Sequence, residues 1–301
     1  MSRIVRISVR VGLAAAAATG LVASGLTVAQ AAPHRPAATS SSIPSLRVAI
    51  TDKGFYVDGP KEFPAGRVRI SLDNARTKKE AEVEVFQLAS GYRWTDLRSD
   101  FKVMAPNLFA PNGNKKKGLK ALNHIIDNIK AFGGLDVVAG KSAHATLLLP
   151  SSGSYVLFND SGFPRNPHWL RVTAPSGPQA LPAADANVVA KTNRRFGGDT
   201  TLPAKGWINF KNESTESPHF INLSQVKPGT TRKDVISALE GNGPPPFLKG
   251  VAGTDALTTG QTMNVHVHVP AGTYAEMCFF PDPKTGDPHA FMGMVRIVHM
   301  K

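Results

Sequence analysis

Cys278 is the only cysteine of the chain and ends the segment Gly272-Thr273-Tyr274-Ala275-Glu276-Met277-Cys278. Pro288-His289-Ala290-Phe291-Met292-Gly293-Met294-Val295 follows after a short interval. A lone thiol cannot form an intrachain disulfide, and in an exported protein a free one is prone to oxidation. Metal binding removes that liability. One thiolate, imidazole nitrogen and a weak thioether donor, set just before a closing strand, form a donor set suited to type 1 copper. A thiolate binds Cu(II) strongly, two neutral imidazoles complete a trigonal plane, and a long thioether bond tunes the potential. Each residue also has a plainer reading. Cys278 fits a buried core thiol, and Met294 fits core filling. Met292 competes with Met294 as the axial donor, and the Gly293-Met294-Val295 context favours Met294.

Donors this far apart need a rigid scaffold, and the sequence describes one as a repeat. Pro64-Ala65-Gly66-Arg67-Val68-Arg69-Ile70-Ser71-Leu72-Asp73-Asn74 leads to Glu84-Val85-Phe86-Gln87-Leu88. In the second half, Pro203-Ala204-Lys205-Gly206-Trp207-Ile208-Asn209-Phe210-Lys211-Asn212 leads to His219-Phe220-Ile221-Asn222-Leu223. Leu147-Leu148-Leu149-Pro150 matches Val267-His268-Val269-Pro270, and Pro167-His168 matches Pro288-His289. Period-two alternation marks strands at Val68 to Leu72, Glu82 to Leu88, Ala145 to Leu149 and Thr262 to Val269. Helices are expected at Leu119 to Phe132, and at Thr231 to Leu239 behind a Thr cap. Each helix falls between the two strand blocks of its half, as an insertion. The fold class is all-β: two Greek-key β-sandwich domains with short helical insertions. The expected organisation is a signal peptide (1–31), a disordered tether (32–45), a domain without copper ligands (46–173), a Pro/Ala/Gly-rich linker (174–186) and a metal-binding domain (187–301).

The second half resembles the cupredoxins, in particular the plastocyanin-like blue copper proteins. Phe210-Lys211-Asn212 through Ser217-Pro218-His219 is similar to that family's first ligand segment, where a strand ends in an Asn turn and Pro-His follows. Gly272 to Cys278 is similar to the strand that delivers the cysteine, and Pro288 to Val295 to the second histidine and axial methionine. The resemblance implies one type 1 copper held by His219, Cys278, His289 and Met294, with electrons leaving through the His289 edge. Phe291, Met292 and Pro244-Pro245-Pro246-Phe247 would then surround that exit. One departure is clear: ten residues, Phe279 to Pro288, separate the cysteine from the second histidine. The family has only a few there. The stretch is turn-rich, and a small hairpin would return His289 to the metal.

The first half lacks this set. Glu84 stands where the second half has His219, and Asn159 where it has Cys278, so this half reads as a structural or partner-binding module. His266 and His268 share one strand face. Multicopper oxidases use His-x-His pairs, but their His-Cys-His is absent, since Met277 and Phe279 flank Cys278. No Gly-x-Ser-x-Gly, His-Glu-x-x-His or phosphate-cradling loop is present, and no carboxylates are brought together in one cleft. The chain therefore reads as a binding or electron-transfer protein rather than a catalyst.

Arg3, Arg6 and Arg10 precede an apolar run, Val11 to Val28, and Ala29-Gln30-Ala31 is a small-x-small cleavage signal. The expected location is extracytoplasmic, after cleavage behind Ala31. With 35 Lys+Arg against 22 Asp+Glu the chain carries a formal +13, and loss of the signal leaves about +10. That charge suits anionic cell-wall polymers, membrane surfaces or an acidic redox partner. Nucleic acid is a poor candidate as a partner, because the Lys115-Lys116-Lys117 run reads as a loop without stacking aromatics. Three functions remain: electron transfer with a redox partner protein, copper carriage between a donor and an acceptor, and metal-free interaction.

Overall fold

The computed structural model describes residues 43–159, 167–176 and 179–301. The expected signal peptide and nearly all of the tether lie outside them. The first half supplies nine strands. They are β1 (Ser45–Thr51), β2 (Gly54–Asp58), β3 (Glu62–Pro64), β4 (Gly66–Asn74) and β5 (Ala81–Leu88), then β6 (Ile129–Val137), β7 (Ser142–Leu149), β8 (Gly153–Asn159) and β9 (His168–Thr173). The second half supplies β10 (Ala186–Lys191), β11 (Arg195–Gly198), β12 (Thr201–Leu202), β13 (Lys205–Asn212) and β14 (Asn222–Val226). It closes with β15 (Phe247–Thr254), β16 (Thr262–His268), β17 (Gly272–Met277) and β18 (Val295–Met300). Helices α1 (Trp94–Phe109) and α2 (Lys115–Asn128) lie between β5 and β6, and α3 (Arg232–Leu239) between β14 and β15.

The strands form two sheets, ordered β11-β10-β13-β16-β7-β4-β1-β2 and β12-β18-β17-β14-β15-β6-β5-β8-β9-β3. Either order read outward from its middle gives the same unit twice. β7-β4-β1-β2 corresponds to β16-β13-β10-β11, and β6-β5-β8-β9-β3 to β15-β14-β17-β18-β12. Even the parallel pairs recur: β1 with β4 as β10 with β13, and β3 with β9 as β12 with β18. The expected repeat is therefore structural, and the helices enter at the same connection in both copies.

The copies join edge to edge. β7 pairs antiparallel with β16 and β6 with β15, so equivalent strands meet each other across the seam. Ala145 faces Val265 there. These two positions correspond in the repeat, so a local dyad passes between them, as in an isologous dimer interface. The physical reason is that each half alone would leave β6 and β7, or β15 and β16, as edges with unpaired backbone groups, and the seam pairs part of each. Beneath the seam runs one continuous core. It includes Leu72, Leu147 and Tyr155 from the first copy and Phe210, Val265 and Tyr274 from the second. Gln179 donates to Ala65 O, and Asn264 to Pro182 O, so the described part of the expected linker is tied to both copies.

The helices differ in part from expectation. α3 begins at the Thr231 cap, whose hydroxyl accepts from the Asp234 amide. α2 buries Leu122 and Ile125 as its spacing requires, but starts at Lys115, capped by Asn114. The lysine run is thus a first helical turn rather than a loop. Its expected C-terminal turn is instead the start of β6. α1 carries no strong apolar stripe and was not anticipated. It packs with α2 over a separate core containing Phe86, Leu97, Ile125 and Phe158.

Candidate metal centre

β13 ends at Asn212, which is fully buried. Its amide donates to Ser217 O (3.1 Å) and Leu257 O (2.7 Å) and accepts from Ser214 N (2.9 Å). This fixes the turn that delivers His219, whose backbone also pairs with Leu257 in both directions. Cys278 follows the last residue of β17, and its amide donates to Met294 O (3.3 Å). His289 N donates to Phe280 O (3.0 Å), and Ala290 N to Cys278 O (2.6 Å). The ten-residue interval forms the small hairpin expected of it, closed by a bridge between Pro281 and Pro288.

The result is convergence over 71 positions of sequence. Cys278 Sγ lies 3.7 Å from Nδ1 of His219 and 3.7 Å from Nδ1 of His289. The two imidazole centroids are 4.7 Å apart, and all three residues are fully buried. A trigonal centre with metal–sulfur about 2.3 Å and metal–nitrogen about 2.0 Å spaces sulfur and nitrogen about 3.7 Å apart. Both sulfur–nitrogen separations therefore match those of a three-coordinate ion, and the donor types suit copper. His219 Nε2 is buried without a partner, so the ring's polar contact is made through Nδ1 alone. Met294 is fully buried in the same core as Cys278, and its amide donates to His289 O (2.9 Å). Met292 sulfur instead accepts from the Thr285 hydroxyl at 3.7 Å.

Burial favours the uncharged form of all three groups. It depresses His219 to about 3, helped by His289 and Arg194. It depresses His289 to about 4, with Asp282 opposing and Arg194 assisting. It raises the Cys278 thiol to about 12 against the backbone amides of Phe220 and Phe280. Neutral imidazoles are ready to bind a cation, and the thiol must give up its proton to do so.

One expectation is corrected. His289 offers no exposed imidazole edge, because the returning hairpin covers it. Its Nε2 lies 3.4 Å from Ser217 Oγ and 4.0 Å from Asp282 Oδ2. Asp282 is 3% exposed and pairs with Arg194 at 3.0 Å. Sequence reasoning missed this cover. Arg194 sits 88 residues from Asp282, in the β10–β11 turn at φ 55, and no local pattern links the two. Phe291, by contrast, is exposed as expected.

Two further groupings stand apart from the centre. His266 faces His144 across the seam and Trp207 on its other side, with His268 exposed. Glu80, Glu82 and Asp136 bring carboxylate oxygens within 4.8 Å of one another, a convergence the sequence did not suggest. Burial raises Glu82 and Asp136, and holds nearby Asp255 at about 7 with help from Glu82.

No protein-family model matches the chain, and no curated protein sequence matches it. Solved structures do show similarity. Dithionite-reduced auracyanin from the photosynthetic bacterium Roseiflexus castenholzii is 22% identical, with a TM-score of 0.26, over 38% of this chain and 94% of its own. Auracyanin A from Chloroflexus aurantiacus, a "blue" copper protein, is 15% identical with a TM-score of 0.26, over 43% and 99%. A multicopper oxidase is 11% identical with a TM-score of 0.23, over 85% of this chain and 88% of its own. Scores this low leave the assignment to the strands and side chains themselves. Those give an all-β, doubled sandwich with a buried His-Cys-His grouping in its second copy.

Proposed function

We propose that the protein holds one type 1 copper through His219, Cys278, His289 and Met294, and serves as an outer-sphere electron carrier outside the cytoplasmic membrane. The carrying observation is the pair of 3.7 Å contacts from one sulfur to two Nδ1 atoms. Copper would supply a one-electron couple at that point. The chain's own residues do the rest. Asn212 and Leu257 fix His219, the β17 terminus fixes Cys278, and the Pro281–Pro288 hairpin fixes His289. Full burial excludes water, and ligands held by backbone contacts move little between oxidation states, which keeps the reorganisation cost low. Among the described residues no helix is long and apolar enough to cross a membrane. The extracytoplasmic location rests on the sequence of residues 1–31.

A carrier that hands copper on needs an accessible donor, and the cover over His289 works against that role. Voltammetry of the copper-loaded protein distinguishes the two. A reversible couple, with copper retained through repeated cycles, supports electron transfer. Release of the metal on reduction would overturn it in favour of copper carriage.

A further inference from the structure

The hairpin between Cys278 and His289 is internally bonded. Asp282 N donates to Asp287 O (2.9 Å), and Gly286 N to Asp282 O (2.7 Å). Asp282 Oδ1 accepts from the amides of Lys284 and Thr285. Its outer side, however, rests on the other copy of the repeat. Lys115 Nζ at the start of α2 lies 2.9 Å from Asp287 Oδ1. Further along α2, Asn123 Nδ2 donates to Pro283 O at 2.9 Å. Gly286, at φ +73, approaches the helices so closely that a Cβ would meet Leu108 Cδ2 at 2.9 Å and Leu119 Cδ2 at 3.4 Å. Phe280 packs against both the main core and the core under α1 and α2, and its ring lies 6.1 Å from that of His289.

We propose that α1 and α2 of the first copy are the positioning device of the metal loop in the second. They hold the Cys278–His289 hairpin closed over the imidazole, so the centre opens only when contacts between the copies break. This accounts together for the long interval between the ligands, the burial of His289 and the helical insertion in a half without the ligand set. Lys115 and Asn123 act through the loop and touch no ligand. The significance of the inference rests on the copper reading, but its mechanical content does not.

Cys278 makes the test direct, because the sole thiol is fully buried. The metal-free full chain is reacted with an aromatic disulfide reagent, under conditions where every variant remains folded. The Lys115→Ala/Asn123→Ala double variant should label about tenfold faster than wild type, as expected when an ion pair and a hydrogen bond stop opposing local opening. Exposed Lys115→Ala alone, which leaves the fold intact, should label about twofold faster. Arg171→Ala removes an exposed ion pair with Glu62 between β9 and β3, away from both helices, and serves as control. After copper loading, the double variant should also lose metal to a chelator faster by a similar factor, with a shifted visible spectrum. Labelling rates equal to wild type, or raised equally in the control, would overturn the proposal. Faster labelling in a protein that takes up no copper would refute the metal reading and leave the positioning role standing.

Discussion

Asn212 has a counterpart in the first copy, and the pair separates fold from function. Asn74 is 2% exposed, donates to Lys79 O and Val137 O (2.8 Å each), and accepts from Arg76 N (3.2 Å). Asn212 makes the same pattern to Ser217 O, Leu257 O and Ser214 N. Truncating either to Ala deletes three hydrogen bonds from a buried turn. At about 1 kcal/mol for each bond, the cost is about 3 kcal/mol in both variants. Their effects on the centre should differ. Asn212→Ala loosens the turn that delivers His219 and should weaken copper binding about 10- to 100-fold, whereas Asn74→Ala should leave it near wild type. Urea unfolding of the metal-free proteins measures the first quantity, and copper competition with a chromophoric chelator the second. A loss below about 1 kcal/mol for Asn212→Ala, or equal copper affinity in the two variants, would rule out this role for Asn212.

Acid should destabilise the metal-free protein through its two buried imidazoles. Folded values of about 3 for His219 and about 4 for His289 lie below the roughly 6.5 of an unfolded histidine. The unfolded chain therefore binds more protons below that value. Stability from these groups is complete above pH about 6.5 and falls as the pH drops towards 4, by an amount on the order of 5 kcal/mol. Urea midpoints from pH 7.5 to 4.5 report it, and a pH dependence unchanged in His219→Gln would contradict it. Arg296 lies 2.6 Å from fully buried Glu276. Arg296→Met should cost about 3–5 kcal/mol, and Glu276→Gln/Arg296→Met much less. A double variant as unstable as the single one, by thermal melting, would count against the pair. Because sheets and core are continuous across the seam, the two halves should unfold together. Fluorescence from Trp94 and Trp169 in one half, and from Trp207 in the other, should share one urea midpoint. Separate midpoints would sever the halves.

The convergence of His219, Cys278 and His289 was legible because its chemistry is rare: a single thiol, with histidines at recognisable flanks. The repeat was legible in Asn74 and Asn212 and in the Pro-Gly turns, because buried turns admit few residue types. The Thr231 cap was readable for the same reason. α1 was not, because Pro106 and scattered polar residues break its apolar stripe. The seam was hidden, since pairing between β6 and β15 uses backbone groups that every residue carries. The cover over His289 was hidden because Arg194, Ser217 and Asp282 meet only through the fold. Long-range polar contacts of this kind leave no periodicity to read.

The most direct test is a Cu(II) titration of the protein followed by visible absorption and electron paramagnetic resonance, beside Cys278→Ser. A type 1 site gives an intense red-region thiolate-to-copper band with narrow hyperfine splitting at one copper per chain, absent from the variant. A colourless protein, or an ordinary tetragonal Cu(II) signal that survives in Cys278→Ser, would contradict it.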